Sequence, residues 1–143
     1  MLINQLSVFI ENKKGTLGSL TDALLKHNID IRAIAVFDTN EFGIVRLVVD
    51  DPEKALEVLK KEGFIAKSSK VIAVEPTDKP GSLNEIFKVM GENDINIEYI
   101  YSFVMRKHEM PYVVFKVDNQ DKALEVLAKG GISLVAQHKV QIL

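Results

Sequence analysis

One six-residue segment with the character of a small-anion site occurs twice in the chain. Residues 12–17 read Asn-Lys-Lys-Gly-Thr-Leu, and residues 78–83 read Asp-Lys-Pro-Gly-Ser-Leu, 66 positions later. Each copy joins a predicted strand to a predicted helix, which places free backbone N–H groups and the positive end of a helix dipole around Gly15 and Gly81. Such a turn suits a small carboxylate, because glycine lets a ligand approach the backbone closely. The alternative is an ordinary turn glycine followed by a helix N-terminus.

Residue patterns of known catalytic or metal sites do not occur in the sequence. The chain has no cysteine, which excludes thiol nucleophiles, disulfides and thiolate metal sites. His27, His108 and His138 are not spaced as metal ligands, and neither a Gly-x-Ser-x-Gly elbow nor a glycine-rich phosphate loop is present. The acidic pair Asp50 and Asp51 precedes a proline at a predicted helix start, where it is explained as a cap. We therefore predict no catalytic residue, no metal and no cofactor.

The composition is that of an ordinary soluble protein with balanced charge. Of the 143 residues, 47% are hydrophobic and 27% are charged, with 18 basic and 20 acidic side chains and a net charge of −2. The excess of Lys and Arg that nucleic-acid binding requires is missing, so nucleic acid is disfavoured as a partner. The longest purely apolar run, residues 33–37, is far shorter than the roughly 20 residues that span a bilayer. We expect a cytoplasmic protein that has no signal peptide and no membrane partner.

The repeated segment belongs to a duplication of the whole chain. Two further pairs of matching segments follow in the same order: residues 28–31 over 94–97 at an offset of 66, and residues 54–59, which recur identically as 122–127 at an offset of 68. The change of offset indicates a two-residue insertion between these matches. Ordered matches of this kind indicate a tandem repeat. We therefore divide the chain into two domains, residues 1–70 and 71–143.

Each half is predicted to contain strand, helix, strand, strand, helix and strand, from the periodicity of its apolar residues and the turn residues between them. In the first half the predicted strands are residues 2–10, 29–37, 42–49 and 64–69, and the helices are 17–27 and 52–62. In the second half the strands are 71–75, 95–105, 112–117 and 133–140, and the helices are 82–90 and 119–129. The connection at residues 106–109 holds the insertion. If the second loop is only a helix start, Ser82 and Glu85 are expected to form a capping box.

This order of elements is that of the ferredoxin-like βαββαβ unit, an α+β arrangement with helices on one face of an antiparallel sheet. Right-handed crossovers place the second strand of each unit, residues 31–38 and 97–105, at an edge of its sheet. Both strands are long and apolar, and an edge of that kind tends to pair with another strand. We therefore expect two tandem units joined side by side, through these two strands, into one eight-stranded sheet.

The loops, the segments after the first helix of each half, and the βαββαβ order together resemble the ACT domain. The residues that carry the resemblance are 15–17 and 81–83 in the loops, and 28–31 and 94–97 after the helices. The resemblance covers nearly the whole chain as two tandem copies, with no catalytic domain attached. It implies a regulatory module that binds a small ligand, most often an amino acid, where the loop of one module faces the edge strand of its neighbour.

The resemblance assigns ligand-binding residues to both loops and to the strands that would face them. In the loops they are Asn12, Lys14, Gly15, Thr16, Leu17, Asp78, Pro80, Gly81, Ser82 and Leu83, and in the strands they are Ile31, Ala33, Ile97 and Tyr99. The two copies differ, since the amide at position 12 can bond both charged ends of an amino acid, whereas the carboxylate at position 78 favours only the ammonium. The two potential sites are therefore expected to be unequal.

The function expected from these features is non-catalytic regulation by a free amino acid that binds at the interface between the two modules. We also expect a homo-oligomer, with a metabolic enzyme as a possible partner. A second possibility is a regulatory subunit that acts on a metabolic enzyme through protein–protein contacts, without ligand. A third is a small ferredoxin-like enzyme, because this fold hosts enzymes as well as regulators.

Overall fold

A computed structural model of the protein describes residues 1–38, 41–104 and 110–143. In chain order the elements are β1 (Ile3–Glu11), α1 (Thr16–Lys26), β2 (Ile31–Asp38), β3 (Phe42–Val49), α2 (Pro52–Lys61), β4 (Ile65–Glu75), α3 (Ser82–Glu92), β5 (Ile97–Ser102), β6 (Val113–Val117), α4 (Gln120–Lys129), β7 (Ser133–Leu134) and α5 (Gln137–Gln141). Three predictions lie partly or wholly outside the described residues: the turn that joins β2 to β3, the end of the strand expected over residues 95–105, and the connection at 106–109 with His108.

The seven strands of the described residues form one antiparallel sheet. Its order is β2-β3-β1-β4-β6-β5, and β7 also pairs with β4. The first unit consists of β2, β3, β1 and β4, and the second consists of β5, β6, β4 and β7. In each unit the first and third strands lie in the middle, as the ferredoxin-like arrangement requires. The predicted α+β fold of two tandem ferredoxin-like units is therefore confirmed.

Strand β4 belongs to both units. Its first part pairs with β1 as far as Ile3 opposite Val71, and its last part pairs with β6 from Ile72 opposite Phe115. Two strands were expected here, at residues 64–69 and 71–75, but no glycine or proline separates them and the strand continues without a break. The sheet of the described residues therefore has seven strands instead of eight, and residue 70 lies inside a strand.

The two edge strands β2 and β5 meet, as the sequence analysis expected. Ala33 and Phe103 form an antiparallel bridge, and the N–H of Val104 donates a hydrogen bond to the carbonyl of Arg32 at 2.9 Å. Among the described residues, the backbone pairing between segments 31–38 and 97–105 is limited to this one bridge. Because β2 and β5 lie at opposite ends of the strand order, the bridge curls the sheet on itself.

The end of the chain differs from the prediction of a strand over residues 133–140. β7 has only two residues, and helix α5 follows it. The edge of β4 on which β7 pairs is already occupied by β1 as far as Val71, so only residues close to Val74 and Glu75 remain for pairing. The rest of the segment forms α5, which places Val140 in the protein interior.

Helices α1 and α3 end in the same way in the two halves. Asn28 and Asp94 follow these helices and have left-handed backbones, with φ of 55° and 57°. Asparagine and aspartate tolerate this conformation better than other non-glycine residues. The N–H of Ile29 then returns to the carbonyl of Leu24 at 3.0 Å, which closes the helix end. The first helix, predicted to end at residue 27, ends at Lys26.

The buried side chains form three clusters on the two faces of the sheet. One cluster packs under α1 and α2, and a second packs under α3 and α4. The third lies on the opposite face, which we call the inner face. Its members, the central cluster, are Ile3, Ala33, Val48, Val71, Ala73, Phe103, Tyr112, Val114, Val135 and Val140. Both halves contribute to this cluster, so it is the packing that holds them together.

Candidate functional site

The first loop presents the start of α1 without a side-chain cap. Gly15 is the N-cap and has a left-handed backbone with φ of 85°, which glycine adopts without strain. The hydroxyl of Thr16 turns back into the loop, 3.0 Å from the carbonyl oxygen of Glu11 and 2.9 Å from that of Lys13. Because no described side chain caps α1, N–H groups of its first turn are left for another acceptor.

The second loop repeats this geometry. Gly81 is the N-cap of α3 with φ of 89°, again without a side-chain cap. Ser82 is the first helical residue, and its hydroxyl accepts a hydrogen bond from the N–H of Thr77 at 2.9 Å. The capping box considered for Ser82 and Glu85 is therefore not formed, because a glycine occupies the cap position.

Helices α2 and α4 differ from α1 and α3 at their N-termini. Asp51 accepts a hydrogen bond from the N–H of Lys54 at 3.2 Å, and Asn119 accepts one from the N–H of Lys122 at 3.1 Å. A cap of this kind stabilises a helix by about 1 kcal/mol. Among α1 to α4, the two helices without it are the two that follow the glycine loops.

A cavity of about 690 Å³ lies against the first loop. Lys13, Lys14, Gly15 and Thr16 form its polar wall, and Phe9, Ile10, Phe42, Phe64 and Ile65 form its apolar wall. An adjoining recess of about 170 Å³ is lined by Asn12, Leu17 and residues of β2. All five residues assigned to the first loop therefore line one or both of these spaces.

A cavity of about 510 Å³ lies against the second loop, but only some of the residues assigned to this loop line it. Gly81, Ser82 and Leu83 line it, together with Met110 and Pro111. Asp78 and Pro80 are exposed and do not line it. The two loops thus share a backbone geometry but have different surroundings.

The four strand residues assigned to the site lie away from the loop cavities. Ile31 packs against the cluster under α1 and α2, and Ala33 is fully buried in the central cluster. Ile97 packs against the cluster under α3 and α4, and Tyr99 lies on the inner face. None of these four residues lines the three loop cavities. Within one chain, each loop faces strands of its own half.

A buried polar network joins the two halves on the inner face, and the sequence analysis missed it. Gln5 has no exposed surface; its side chain accepts a hydrogen bond from the Tyr101 hydroxyl at 2.5 Å and donates one to the Tyr99 hydroxyl at 2.7 Å. Burial raises the pKa of Tyr101 above its ordinary value of 10.0; Tyr99 adds to the rise and Arg46 opposes it. The sequence signal was weak, because Gln5 is one of four polar residues of β1 and nothing local marks it as the fully buried one.

The remaining candidate groups have structural roles. Asp51 caps α2, and Asp50 accepts a hydrogen bond from the N–H of Asp30 at 2.9 Å. Within residues 1–38, 41–104 and 110–143, no three His, Asp or Glu side chains are grouped to hold a metal ion. The described helices include none that is long and apolar enough to cross a membrane.

The fold and its repeated loops define the class of protein. The chain belongs to the ACT domain pair family, whose model matches residues 1–143. It is similar to protein BT0572 from Bacteroides thetaiotaomicron, with 34% identity over 100% of this chain and 98% of that chain, and a TM-score of 0.92. The resemblance to a tandem ACT protein that the sequence indicated is therefore confirmed.

Two more distant solved structures share the fold. The ligand-free regulatory subunit of aspartate kinase from Thermus thermophilus is 18% identical over 90% of this chain and 93% of that chain, with a TM-score of 0.63. The corresponding subunit from Thermus flavus is 16% identical over 92% of this chain and 94% of that chain, with a TM-score of 0.58. No curated protein sequence matches the chain. At these identities the similarity is one of fold alone.

Proposed function

We propose that this protein is a non-catalytic regulatory protein that binds a free amino acid at the loop between β1 and α1. The observation that carries the proposal is the cavity of about 690 Å³ beside the uncapped start of α1. Membership of the ACT domain pair family supports it, because the chain resembles regulatory domains that bind amino acids. Two proteins of similar fold are regulatory subunits of aspartate kinase, which supports a regulatory role.

The loop offers partners for both charged groups of an amino acid. The first-turn N–H groups of Leu17 and Gly18 and the positive end of the α1 dipole would hold the carboxylate. Lys14 lines the same cavity and adds a positive charge. The side-chain oxygen of Asn12 and the carboxylate of Glu11 would accept hydrogen bonds from the ammonium.

The apolar wall of the cavity selects the ligand side chain. Phe9, Phe42, Phe64 and Ile65 face the cavity beyond the loop, and burying apolar surface against them contributes about 25 cal/mol per Å². An amino acid with an aliphatic or aromatic side chain gains this contribution, whereas a charged side chain is desolvated without a partner. The proposed ligand is therefore an apolar amino acid.

A second copy of the chain would complete the site in the way that the family resemblance implies. The strand residues Ile31 and Ile97 are half-buried and lie away from the loops of their own chain. A homo-oligomer would allow the edge strand of one copy to face the loop of another. The site would then still lie between two modules, but the two modules would belong to different chains.

The second loop is proposed as the weaker site. Its cavity of about 510 Å³ is smaller, and Asp78, the residue that would orient the ammonium, does not line it. We therefore propose one tight binding event per chain, at the first loop.

A regulatory subunit that acts by protein contacts alone is the second candidate. Phe42 and Ile65 are 57% and 71% exposed beside the first cavity, and neighbouring exposed apolar side chains mark interaction surfaces. On this alternative the cavity wall is covered by an enzyme partner, and no amino acid changes the stability of the isolated protein.

A thermal-shift screen against the twenty amino acids, followed by calorimetry, tests the proposal. A ligand that binds only the folded state, at 100 times its dissociation constant, adds about 2.7 kcal/mol to the stability. We expect shifts from apolar amino acids, with one site per chain in calorimetry. If none of the twenty shifts the transition at millimolar concentration, the ligand-binding proposal is wrong and the protein-contact candidate takes its place.

A further inference from the structure

A row of side chains that contains two cations crosses the inner face of the first half. The strand register places Arg46 of β3 directly between Ala35 of β2 and Ser7 of β1. Ser7 in turn lies opposite Lys67 of β4. Side chains in one such row point to the same face, so the guanidinium and the ammonium lie on one surface with only small residues beside them. Two strand spacings separate their backbones, about 10 Å.

The guanidinium of Arg46 lies against two neighbouring aromatic rings, whose centroids are 5.7 Å apart. Its central carbon lies 4.0 Å from the centroid of the Tyr99 ring and 4.9 Å from that of the Phe37 ring. Contact with the rings does not satisfy the N–H donors of the guanidinium, which still require acceptors. Yet the Nε and Nη1 atoms of Arg46 are buried and have no hydrogen-bond acceptor. A buried charged donor without an acceptor is costly, which indicates that an acceptor is missing.

The side chains around Arg46 do not supply that acceptor. The amide oxygen of Gln5 accepts from Tyr101 and the Tyr99 hydroxyl accepts from Gln5, and neither accepts from the Nε or Nη1 of Arg46. Among the described residues, the row of Arg46 and Lys67 contains no carboxylate.

The neighbouring row is apolar and also lacks a carboxylate. It consists of Phe37, Ile44, Phe9 and Ile65 in register across the same four strands. Lys67 reaches over it, with its Nζ 5.8 Å from the centroid of the Phe9 ring. Both cations therefore lean over one apolar row, and among the described residues neither that row nor the row of Arg46 and Lys67 contains a carboxylate to balance their charge.

We infer that the inner face of the first half binds a small oxyanion between Arg46 and Lys67. The oxyanion supplies the acceptor that the buried donors of Arg46 lack, and Lys67 balances the rest of its charge. Neither cation lines the cavity of the first loop, although Phe9 and Ile65 of the apolar row do, so this site lies beside the proposed amino-acid site and uses different polar groups. Because Tyr99 belongs to the second half and stacks on the same guanidinium, an anion that enters beside Arg46 also acts on the contact between the halves.

The test uses the full chain with inorganic phosphate in one arm and acetate in a second, at constant ionic strength set with sodium chloride. The Arg46 Nε–H resonance and the Tyr99 ring resonances are followed by NMR as each anion is added. We expect saturable shifts of both, and the more effective anion distinguishes a phosphate-type from a carboxylate-type ligand. If the Arg46 resonance moves with neither anion, the inference is wrong.

Two variants and a matched control locate the binding. Arg46→Gln should weaken the affinity for the more effective anion by at least about tenfold, since a hydrogen bond to a charged group is lost. Lys67→Gln, on an exposed residue, should weaken it several-fold without affecting the fold. Lys70→Gln removes the same charge from the same strand but on the opposite face, so it should leave the affinity unchanged. An equal loss in Lys67→Gln and Lys70→Gln would show only general charge screening and overturn the inference.

Discussion

The amide oxygen of Gln5 accepts a hydrogen bond from the hydroxyl of Tyr101, 2.5 Å away and 96 residues later in the chain. Gln5 is fully buried, so this bond and the one to Tyr99 satisfy an amide that water cannot reach. The central cluster is otherwise apolar and does not select one arrangement of the halves over another by directional bonds. The glutamine therefore helps to fix how the two halves face each other, together with hydrogen bonds such as that from the N–H of Val104 to the carbonyl of Arg32.

Removing this hydrogen bond should destabilise the protein in a way that depends on both partners. Tyr101→Phe leaves the buried Gln5 oxygen without a donor, so the free energy of unfolding should fall by about 1–3 kcal/mol. A double-mutant cycle with Gln5→Leu, measured by urea unfolding, should give a coupling energy above about 0.5 kcal/mol. The control pairs Tyr101→Phe with Asp51→Ala, the distant cap of α2, and should be additive. If both cycles are additive, the bond does not stabilise the interface.

Stability should decline at high pH because of Tyr101. Burial, with a smaller effect of Tyr99, raises the pKa of its hydroxyl above 10.0, so the folded protein holds this proton more tightly than the unfolded chain. The contribution of Tyr101 is then complete below pH 10 and is lost as the pH rises above it, by up to about 1.4 kcal/mol per pH unit.

Urea unfolding between pH 8 and pH 11.5, on the parent and on Tyr101→Phe, measures this contribution. Because every other ionisable group is common to both proteins, the difference between the two curves isolates Tyr101. We expect the parent to lose its stability advantage over the variant above pH 10. Parallel curves across the whole range would contradict the raised pKa.

Glycine variants should separate ligand binding from backbone strain. Gly15→Val and Gly81→Val each place a branched side chain at a left-handed backbone position in a loop. Gly131→Val is the matched control, since Gly131 also has positive φ, at 72°, but lies after α4 and away from both loops. An added Cβ would meet no atom within 4 Å at any of these positions, so all three variants should lose similar stability through strain alone.

Calorimetry with the amino acid found in the screen then measures the affinity of each variant for that amino acid. Gly15→Val should abolish binding, Gly81→Val should remove at most a weaker second event, and Gly131→Val should bind like the parent. Retention of full affinity in Gly15→Val would show that the first loop is only a helix start. Loss of affinity in Gly131→Val would show that strain, and not the site, is responsible.

The two halves should not fold as independent domains. A cut between Lys70 and Val71 divides β4, and it exposes the apolar inner face of both fragments. Circular dichroism should show no cooperative thermal transition for residues 1–70 or 71–143 alone, and a transition should return in an equimolar mixture. Sharp, separate transitions of the isolated fragments would show that each half is a self-sufficient domain.

The parts of the fold that sequence could predict are those with local signals. The duplication is visible because the glycine loops and the left-handed positions Asn28 and Asp94 recur at the same offset. Helix α1 was expected over residues 17–27 and spans Thr16–Lys26, because its apolar spacing and its terminating asparagine lie close together in sequence. The backbone of both loops followed from the same local pattern.

The features that sequence could not predict depend on partners distant in the chain. The segment at residues 133–140 was expected to be one strand, but the length of that strand is set by how much of β4 is left free by β1. From the sequence, Arg46 has the pattern of an ordinary solvent-facing residue of a strand. In the fold, Tyr99 from the second half lies over its guanidinium. Tyr99 was expected in the ligand site, and in the structure its ring lies against the guanidinium of Arg46.

The continuity of β4 determines how motion passes between the halves. An interdomain linker would let one half turn freely while the other stayed still, but here Ile65–Glu75 pairs with strands of both units. A rotation of the first half must twist this strand, and the twist reaches Ile72, Ala73 and Val74 where they pair with β6. The chain therefore has no hinge at the midpoint of its duplication. A ligand that changes the first half acts on the second through torsion of a shared backbone.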